Sequence, residues 1–345
     1  MFCFPSSNLS RKAVMPLDTF RALRTHQTGS GAKSFVETLR LSELTEGELV
    51  VRTRWAGVNY KDCLGVTGRA KVLRGSPRIA GIELVGVVEE SASPDFRQGD
   101  AVLVHGFETG IVFDGGFSEI ARIPAVHAMR VPEGLEPYEA AVLGVAGFTV
   151  AMALDRFQAL GLTPEAGPVA VSGATGAVGT LAVAILSRLG YRVVALTRRS
   201  EFAQALSTLG AAEVVPAGGT GGEGRPLEAA RFAAAIDNVG GEVLSWLLRS
   251  LQPKGLLASV GNASGIQFTT NVLPFILREV QMFGIVANAP WPVRRALWGR
   301  LAGEWKPDFE GLRGQVRMVG LDELHEHCLL QVDGNAFGRT LLAFE

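Results

Sequence analysis

Apolar residues along this chain recur with two different periods, and the change of period organises it. From about Phe20 to Ile123, short strand-like runs are separated by turn residues: Glu48-Leu-Val-Val-Arg-Thr-Arg-Trp-Ala56, Gly81-Ile-Glu-Leu-Val-Gly-Val-Val88 and Asp100-Ala-Val-Leu-Val104. Short strands at such intervals predict a β-rich barrel. From about Leu143 the pattern alternates helices with strands. Val169-Ala-Val-Ser172 is a buried strand, Val178, Leu181, Ala182, Ile185 and Leu189 recur at helical spacing, Gly190 supplies a stop, and Val193-Val-Ala-Leu196 is a second buried strand. Further units at Val214, Ala233 to Ile236 and Gly255 to Val260 extend this α/β alternation, which implies a parallel sheet. After Pro290 a helix-rich tail ends in the strand Thr340-Leu-Leu-Ala-Phe344. Residues 1–14 lack periodicity and are expected to be a disordered extension, with Met15 a candidate natural start. Gly218 to Gly224 reads as a flexible surface loop.

Between the two buried strands lies Gly173-Ala-Thr-Gly-Ala-Val-Gly179. Glycines there allow a tight turn and close helix packing, and leave the N–H groups of a helix start facing a pyrophosphate. Strand, glycine turn, helix and strand together favour a dinucleotide site over a purely structural turn, although Ala174 replaces the usual first glycine. An NAD site places an acid about 20 residues beyond the glycines. Here the second strand ends in Thr197-Arg198-Arg199-Ser200. Paired guanidinium groups with flanking hydroxyls suit a 2′-phosphate, so NADPH is the expected cofactor.

Composition sets the limits. The 345 residues are 47% hydrophobic with 42 glycines, which suits α/β domains with ample core. Net charge is −1, from 33 basic and 34 acidic side chains, and offers no global field for nucleic acid or an anionic membrane. Small-molecule partners are expected. Cys3, Cys63 and Cys328 form neither a disulfide framework nor a cysteine-rich zinc site, which fits a reduced cytoplasm. Apolar runs are broken by Gly, Pro or charge before 18 residues, and no export signal is evident.

A series of ordered motifs carries a resemblance over nearly the whole chain: Val58-Asn-Tyr-Lys-Asp-Cys-Leu64, Val66-Thr-Gly68, Gly81-Ile-Glu83, Phe96-Arg-Gln-Gly-Asp100, Gly115-Gly-Phe117, Gly147-Phe-Thr149, Ser172 to Gly179, Ile236-Asp-Asn-Val-Gly240, Pro274-Phe-Ile-Leu-Arg278 and Gly338-Arg-Thr340. With these the chain resembles the zinc-independent, quinone oxidoreductase-like branch of the medium-chain dehydrogenases/reductases, and within it the acrylyl-CoA reductase family. The resemblance implies an α/β fold: a GroES-like β-barrel catalytic domain from residues 15–142 and 289–345, a Rossmann doubly wound parallel-sheet cofactor domain from 143–288, and a homodimer. Zinc-dependent relatives carry a Cys and a Gly-His-Glu where this chain has Val58-Asn-Tyr-Lys-Asp62 and Gly81-Ile-Glu83. Without thiolate and imidazole ligands no catalytic metal is expected.

Chemistry then rests on hydride transfer, for which a carbonyl-conjugated C=C is the natural acceptor. The resemblance makes Asn59, Tyr60 and Asp62 the catalytic candidates, with Tyr60 either bordering the cofactor or packing beneath it. It also implies cofactor contacts from Thr149, Thr175, Gly176, Ala177, Val178, Thr197, Arg198, Arg199, Arg225, Asn262, Ile276 and Arg339. The tyrosine that donates a proton in related enoyl reductases has no counterpart in Val66-Thr-Gly-Arg-Ala-Lys-Val72, which leaves solvent as a candidate donor. Lys61, Arg69, Lys71, Arg74 and Arg78 form either a solvated basic face or an attractive rim for coenzyme A phosphates, with Arg69, Arg74 and Arg78 the expected substrate contacts. The five histidines, including His325 and His327, are expected at the surface. The expected activity is NADPH-dependent, metal-free reduction of a short α,β-unsaturated acyl-CoA. The alternatives are a quinone or enone reductase and a catalytically weak NADPH-binding redox sensor.

Overall fold

The computed structural model describes residues 19–29, 31–217 and 225–344. The expected extension 1–14 with its candidate start at Met15, and the expected loop 218–224, lie outside them.

Two sheet systems form, as the two hydrophobic periods predict. In the first, strands run in the order Val316–Val319, Arg339–Ala343, Leu49–Gly57, Glu83–Ser91, Ala101–His105 and Ala128–Arg130, with Ile120–Ile123 also paired to Leu49–Gly57. A smaller sheet of Gly31–Leu39, Phe20–Thr28 and Arg78–Ile79 packs beside it. The tail strand Arg339–Ala343 runs antiparallel to Leu49–Gly57, with Leu342 opposite Ala56, so residues almost 300 positions apart share one sheet.

The second system is a parallel sheet in the order Glu213–Pro216, Val193–Thr197, Val169–Ser172, Phe232–Asp237, Leu251–Ser259 and Gln281–Gly284. This is the 3-2-1-4-5-6 order of a dinucleotide-binding fold. Its inner strands are buried on both faces, and alternate residues serve separate cores. Val169, Val171, Val193 and Ala195 join the large core against the helices Pro137–Ala159 and Ala177–Arg188, while Ala170, Val194 and Leu196 pack with Leu244, Leu247 and Leu248 on the opposite face.

Helix Pro137–Ala159 is long and apolar enough to cross a membrane, but 78% of its most apolar window is buried inside the molecule. At Gly144 its backbone leaves the helical region, with φ 45° and ψ −146°. A Cβ there would collide with the carboxylate of Glu83 and the guanidinium of Arg339, so only glycine fits the break. Two expectations about histidines are corrected. His105 and His327 are 2% and 3% exposed, because each sits on an element packed against another part of the chain.

Candidate active site

Where the parallel strand order reverses, between Val169–Ser172 and Phe232–Asp237, a cavity of about 1530 Å³ opens toward the barrel. A reversal point at the C-terminal ends of parallel strands is where ligands bind in such sheets. Gly173, with φ 56°, turns the chain out of the first strand, and Gly176 caps helix Ala177–Arg188 without a side-chain hydrogen bond. The first-turn N–H groups, out of reach of any intrahelical carbonyl, face the cavity beside Thr175, Ala177 and Val178. A Cβ on Gly176 would meet only the Gly173 oxygen, at 3.4 Å, which leaves open space at the helix start. Ser172 Oγ donates to Asp237 Oδ1 at 2.6 Å, Asn238 Nδ2 donates to the Ser172 carbonyl at 2.7 Å, and Asp237 Oδ2 accepts the Gly240 N–H at 2.8 Å. This lock fixes both loops of the reversal point, and burial outweighs its hydrogen bonds in pushing the Asp237 carboxyl upward. The sequence motif Ile236 to Gly240 marked the segment without revealing the bonding.

At the end of strand Val193–Thr197 the two arginines diverge. Arg199 also lines the cavity, but its guanidinium is engaged: its Nη1 donates to the Ala336 carbonyl at 2.5 Å, the group lies 4.2 Å from the Phe202 ring centre, and its Nε pairs with Glu201 at 3.3 Å. Arg198 is exposed at the cavity and makes no ion pair among the described residues. Thr197, 5% exposed, lines the cavity and accepts the Arg199 N–H through its hydroxyl at 3.0 Å. Thr149 and Asn262 line the same space. Arg225 and Ile276 do not, and both point to solvent, Ile276 at 66% exposure.

Asn59 and Tyr60 enter the cavity from the start of helix Tyr60–Val66. Behind them lies a buried polar knot. Asp62 Oδ2 accepts the Asn59 backbone N–H and side-chain amide, both at 3.2 Å, and Oδ1 accepts the Ile82 N–H at 3.1 Å. Asn59 Nδ2 also donates to Glu83 Oε1 at 2.8 Å, and its Oδ1 accepts from Arg339. Glu83 Oε1 receives Arg339 Nη2 at 2.7 Å, in an ion pair whose side chains are 1% and 2% exposed. The helix break at Gly144 completes the knot: the Val145 N–H donates to Glu83 Oε2 at 2.7 Å, while Arg339 donates to the freed carbonyls of Ala141 and Val142. Burial pushes the Asp62 carboxyl up to about 7, against the Asn59 hydrogen bond and with help from the Glu83 charge. Asp62 and Arg339 therefore stand one layer behind the cavity, not on its wall. They aim Asn59, Tyr60 and Val145 at it. Glu83, the hub of the knot, is unmarked by any local sequence pattern beyond Gly81-Ile-Glu83.

The basic stretch splits as well. Arg69 pairs with Asp333 at 3.0 Å and Arg78 with Asp114 at 3.2 Å, and neither lines the cavity. Arg74, Lys61 and Lys71 do line it; Arg74 reaches Glu108 at 3.1 Å, and the two lysines make no ion pair among the described residues. A zinc ion does not fit here. No group of three His, Cys, Asp or Glu side chains converges among the described residues, and Asp62 and Glu83 already spend their oxygens on N–H donors and Arg339.

Residues 45–133 match the alcohol dehydrogenase GroES-like domain family, and residues 177–302 the zinc-binding dehydrogenase family. The chain is 36% identical over 323 residues to the probable acrylyl-CoA reductase AcuI of Escherichia coli K12, spanning 93% of this chain and 99% of that one. It is 38% identical over 291 residues to the putative quinone oxidoreductase YhfP of Bacillus subtilis 168, spanning 84% and 88%. The crystal structure of the yhdH oxidoreductase of Salmonella enterica, in complex with NADP, superposes with a TM-score of 0.89 at 34% identity, covering 94% of this chain and all of that one.

Proposed function

The chain belongs to the medium-chain dehydrogenase/reductase family, in its quinone oxidoreductase-like branch, and from that premise we propose that it reduces the C=C bond of a short α,β-unsaturated acyl-CoA with NADPH and without a metal. One observation carries the reading. The same cavity is lined by two sets of cations: Arg198 and Arg199 at the end with the glycine turn, and Lys61, Lys71 and the Glu108-paired Arg74. One polyanion, the cofactor, accounts for the first set. The second suits the diphosphate and 3′-phosphate of coenzyme A, which a quinone lacks. The likeness to YhfP keeps quinone reduction as the second reading.

NADPH fits the first end. Its diphosphate would meet the N–H groups beside Gly176, Ala177 and Val178, and its 2′-phosphate would meet Arg198 and Thr197, where no carboxylate opposes it. Bound there, it supplies the hydride. The chain's own part is to orient the acceptor against Tyr60, to hold charge as it develops on the acceptor's carbonyl oxygen, and to admit solvent as the proton source for the α-carbon. Asn59 is spent on the knot beneath it, so its amide anchors the start of helix Tyr60–Val66 rather than binding the acceptor.

Arg198→Ser should raise the Kd for NADPH by about 10- to 100-fold, the loss of a charge-assisted hydrogen bond of about 1.5–3 kcal/mol, and leave NADH unaffected. Arg199→Ser should matter less to both. A fluorescence titration that finds the reverse order would reassign the phosphate to Arg199. Replacing Lys61, Lys71 and Arg74 together by Ser should raise KM for an acyl-CoA about tenfold, from exposed charges worth roughly 0.2–1 kcal/mol each. KM for a quinone should stay put, and equal effects on both acceptors would reject the acyl-CoA reading.

A further inference from the structure

Arg294 is the least expected charge in the molecule. It is 0% exposed on helix Trp291–Ala302, yet among the described residues no carboxylate pairs with it. Buried cations are ordinarily paired. Its Nη1 donates to the His105 carbonyl at 3.0 Å and lies against the His105 ring, its Nη2 donates to Asn288 Oδ1 at 3.1 Å, and its Nε has no partner. The guanidinium is otherwise enclosed by the rings of Phe107, Phe148 and Trp291, with ring centres 4.4, 5.3 and 5.5 Å away. His105 offers no negative charge. Trp298 Nε1 donates to its Nε2 at 2.8 Å, and burial with the Arg294 charge holds the ring neutral.

That charge is directed at the cavity through Asn288. A guanidinium only donates, so Oδ1 is the Asn288 atom facing Arg294, and the amide Nδ2, with no partner among the described residues, is left for the cavity that Asn288 lines. A second unpartnered donor sits nearby. Thr109 Oγ1 is buried on the cavity wall without a hydrogen bond, and the Thr109 N–H is tied to Gly106, the residue packed against Arg294 Nη2. Gly106, Phe107 and Glu108 all hold positive φ, at 77°, 51° and 63°, a costly backbone held in place by Phe107 stacking on His127 and Trp291.

We propose that Asn288, oriented and polarised by Arg294 and assisted by Thr109, donates the hydrogen bond that holds the acceptor's carbonyl oxygen as it gains charge. This rests on the reductase reading. When the acceptor's β-carbon takes a hydride, the π pair shifts toward the α-carbon and the carbonyl oxygen. When the α-carbon then takes a proton from solvent, the carbonyl is restored. The acceptor gains one hydride and one proton, and the hydride donor is oxidised. Asn288 itself is exposed at the cavity, and the buried, unneutralised cation one residue behind it favours the charged form of that oxygen. Arg294 is thus a positioning residue and Asn288 the contact.

The test compares wild type with Asn288→Ala, Thr109→Val and Arg294→Met, reading kcat, the Kd for NADPH, the Kd for the saturated product acyl-CoA in the presence of NADP⁺, and Tm. Asn288→Ala should lower kcat on the order of 100-fold, as loss of one oxyanion donor does, and weaken product binding, with the NADPH Kd unchanged. Arg294→Met should lower kcat about tenfold while Tm holds or rises, because no counter-ion is left unpaired. Wild-type kcat in Asn288→Ala, or an Arg294→Met variant that loses Tm but not kcat, would overturn the assignment. A wild-type protein that reduces neither enoyl-CoA nor quinone would overturn the reductase reading beneath it.

Discussion

Replacing Glu83 by Ala should lower Tm on the order of 10 °C. The substitution leaves the Arg339 guanidinium, 1% exposed, without its counter-ion, and strips an acceptor from Asn59 Nδ2 and from the Val145 N–H. Breaking a buried pair by removing one partner costs about 3–5 kcal/mol, and each kcal/mol is worth about 2–4 °C in a large domain. Glu83→Gln should cost less. The amide keeps the shape, and Asp62 is available to carry the negative charge once Glu83 no longer opposes its ionisation. The pH dependence tests this coupling. In the wild type the Asp62 carboxyl rises from its ordinary 3.8 to about 7, so the folded protein binds the extra proton and stability falls as pH rises between about 4 and 7. In Glu83→Gln that window should contract toward lower pH. Thermal denaturation across pH 4 to 8 reads both effects, and an unchanged window would show that the two carboxyls do not communicate.

The second large effect belongs to the glycine turn. A Cβ on Gly179 would stand 2.6 Å from the Ala174 Cα and also against the Gly173 carbonyl, both backbone. Neither can yield easily, because the Ala174 N–H is tied to the Leu196 carbonyl at 3.2 Å. Gly179→Ala should therefore push the helix start away from the strand, lowering Tm and raising the NADPH Kd on the order of 100-fold, the equivalent of about 3 kcal/mol of overpacking. Gly176→Ala separates binding from folding. Its Cβ has room within the protein but occupies the open cradle, so Tm should hold while the NADPH Kd rises about tenfold. Calorimetry with fluorescence titration of both variants checks the pair; equal Tm losses would show that Gly176 serves packing alone.

Local periodicity made the parallel sheet and its glycine turn legible, because a strand buried on both faces and a helix at 3.6-residue spacing leave distinct patterns. The barrel strands Leu49–Gly57, Glu83–Ser91 and Ala101–His105 were visible for the same reason. What the sequence could not show is set by contacts across long separations. Arg339 reads as a cofactor contact until Glu83, 256 positions away, is seen to hold it. Arg198 and Arg199 are indistinguishable as neighbours, and it is the contacts of Arg199 with the Ala336 carbonyl, Glu201 and the Phe202 ring that set the two apart. Arg69 and Arg78 likewise belong to Asp333 and Asp114. The break at Gly144 is silent in a run of apolar residues, and Arg294 looks like one more surface arginine until His105 and Asn288 close around it.

Substrate class is read by following loss of NADPH absorbance with acrylyl-CoA, crotonyl-CoA and a benzoquinone side by side, with NADH as the cofactor control. An enoyl-CoA reductase of this kind should turn over acrylyl-CoA, with activity that fades with crotonyl-CoA and with NADH. Preference for the benzoquinone, or tight NADPH binding with no turnover of any acceptor, would contradict the acyl-CoA reading.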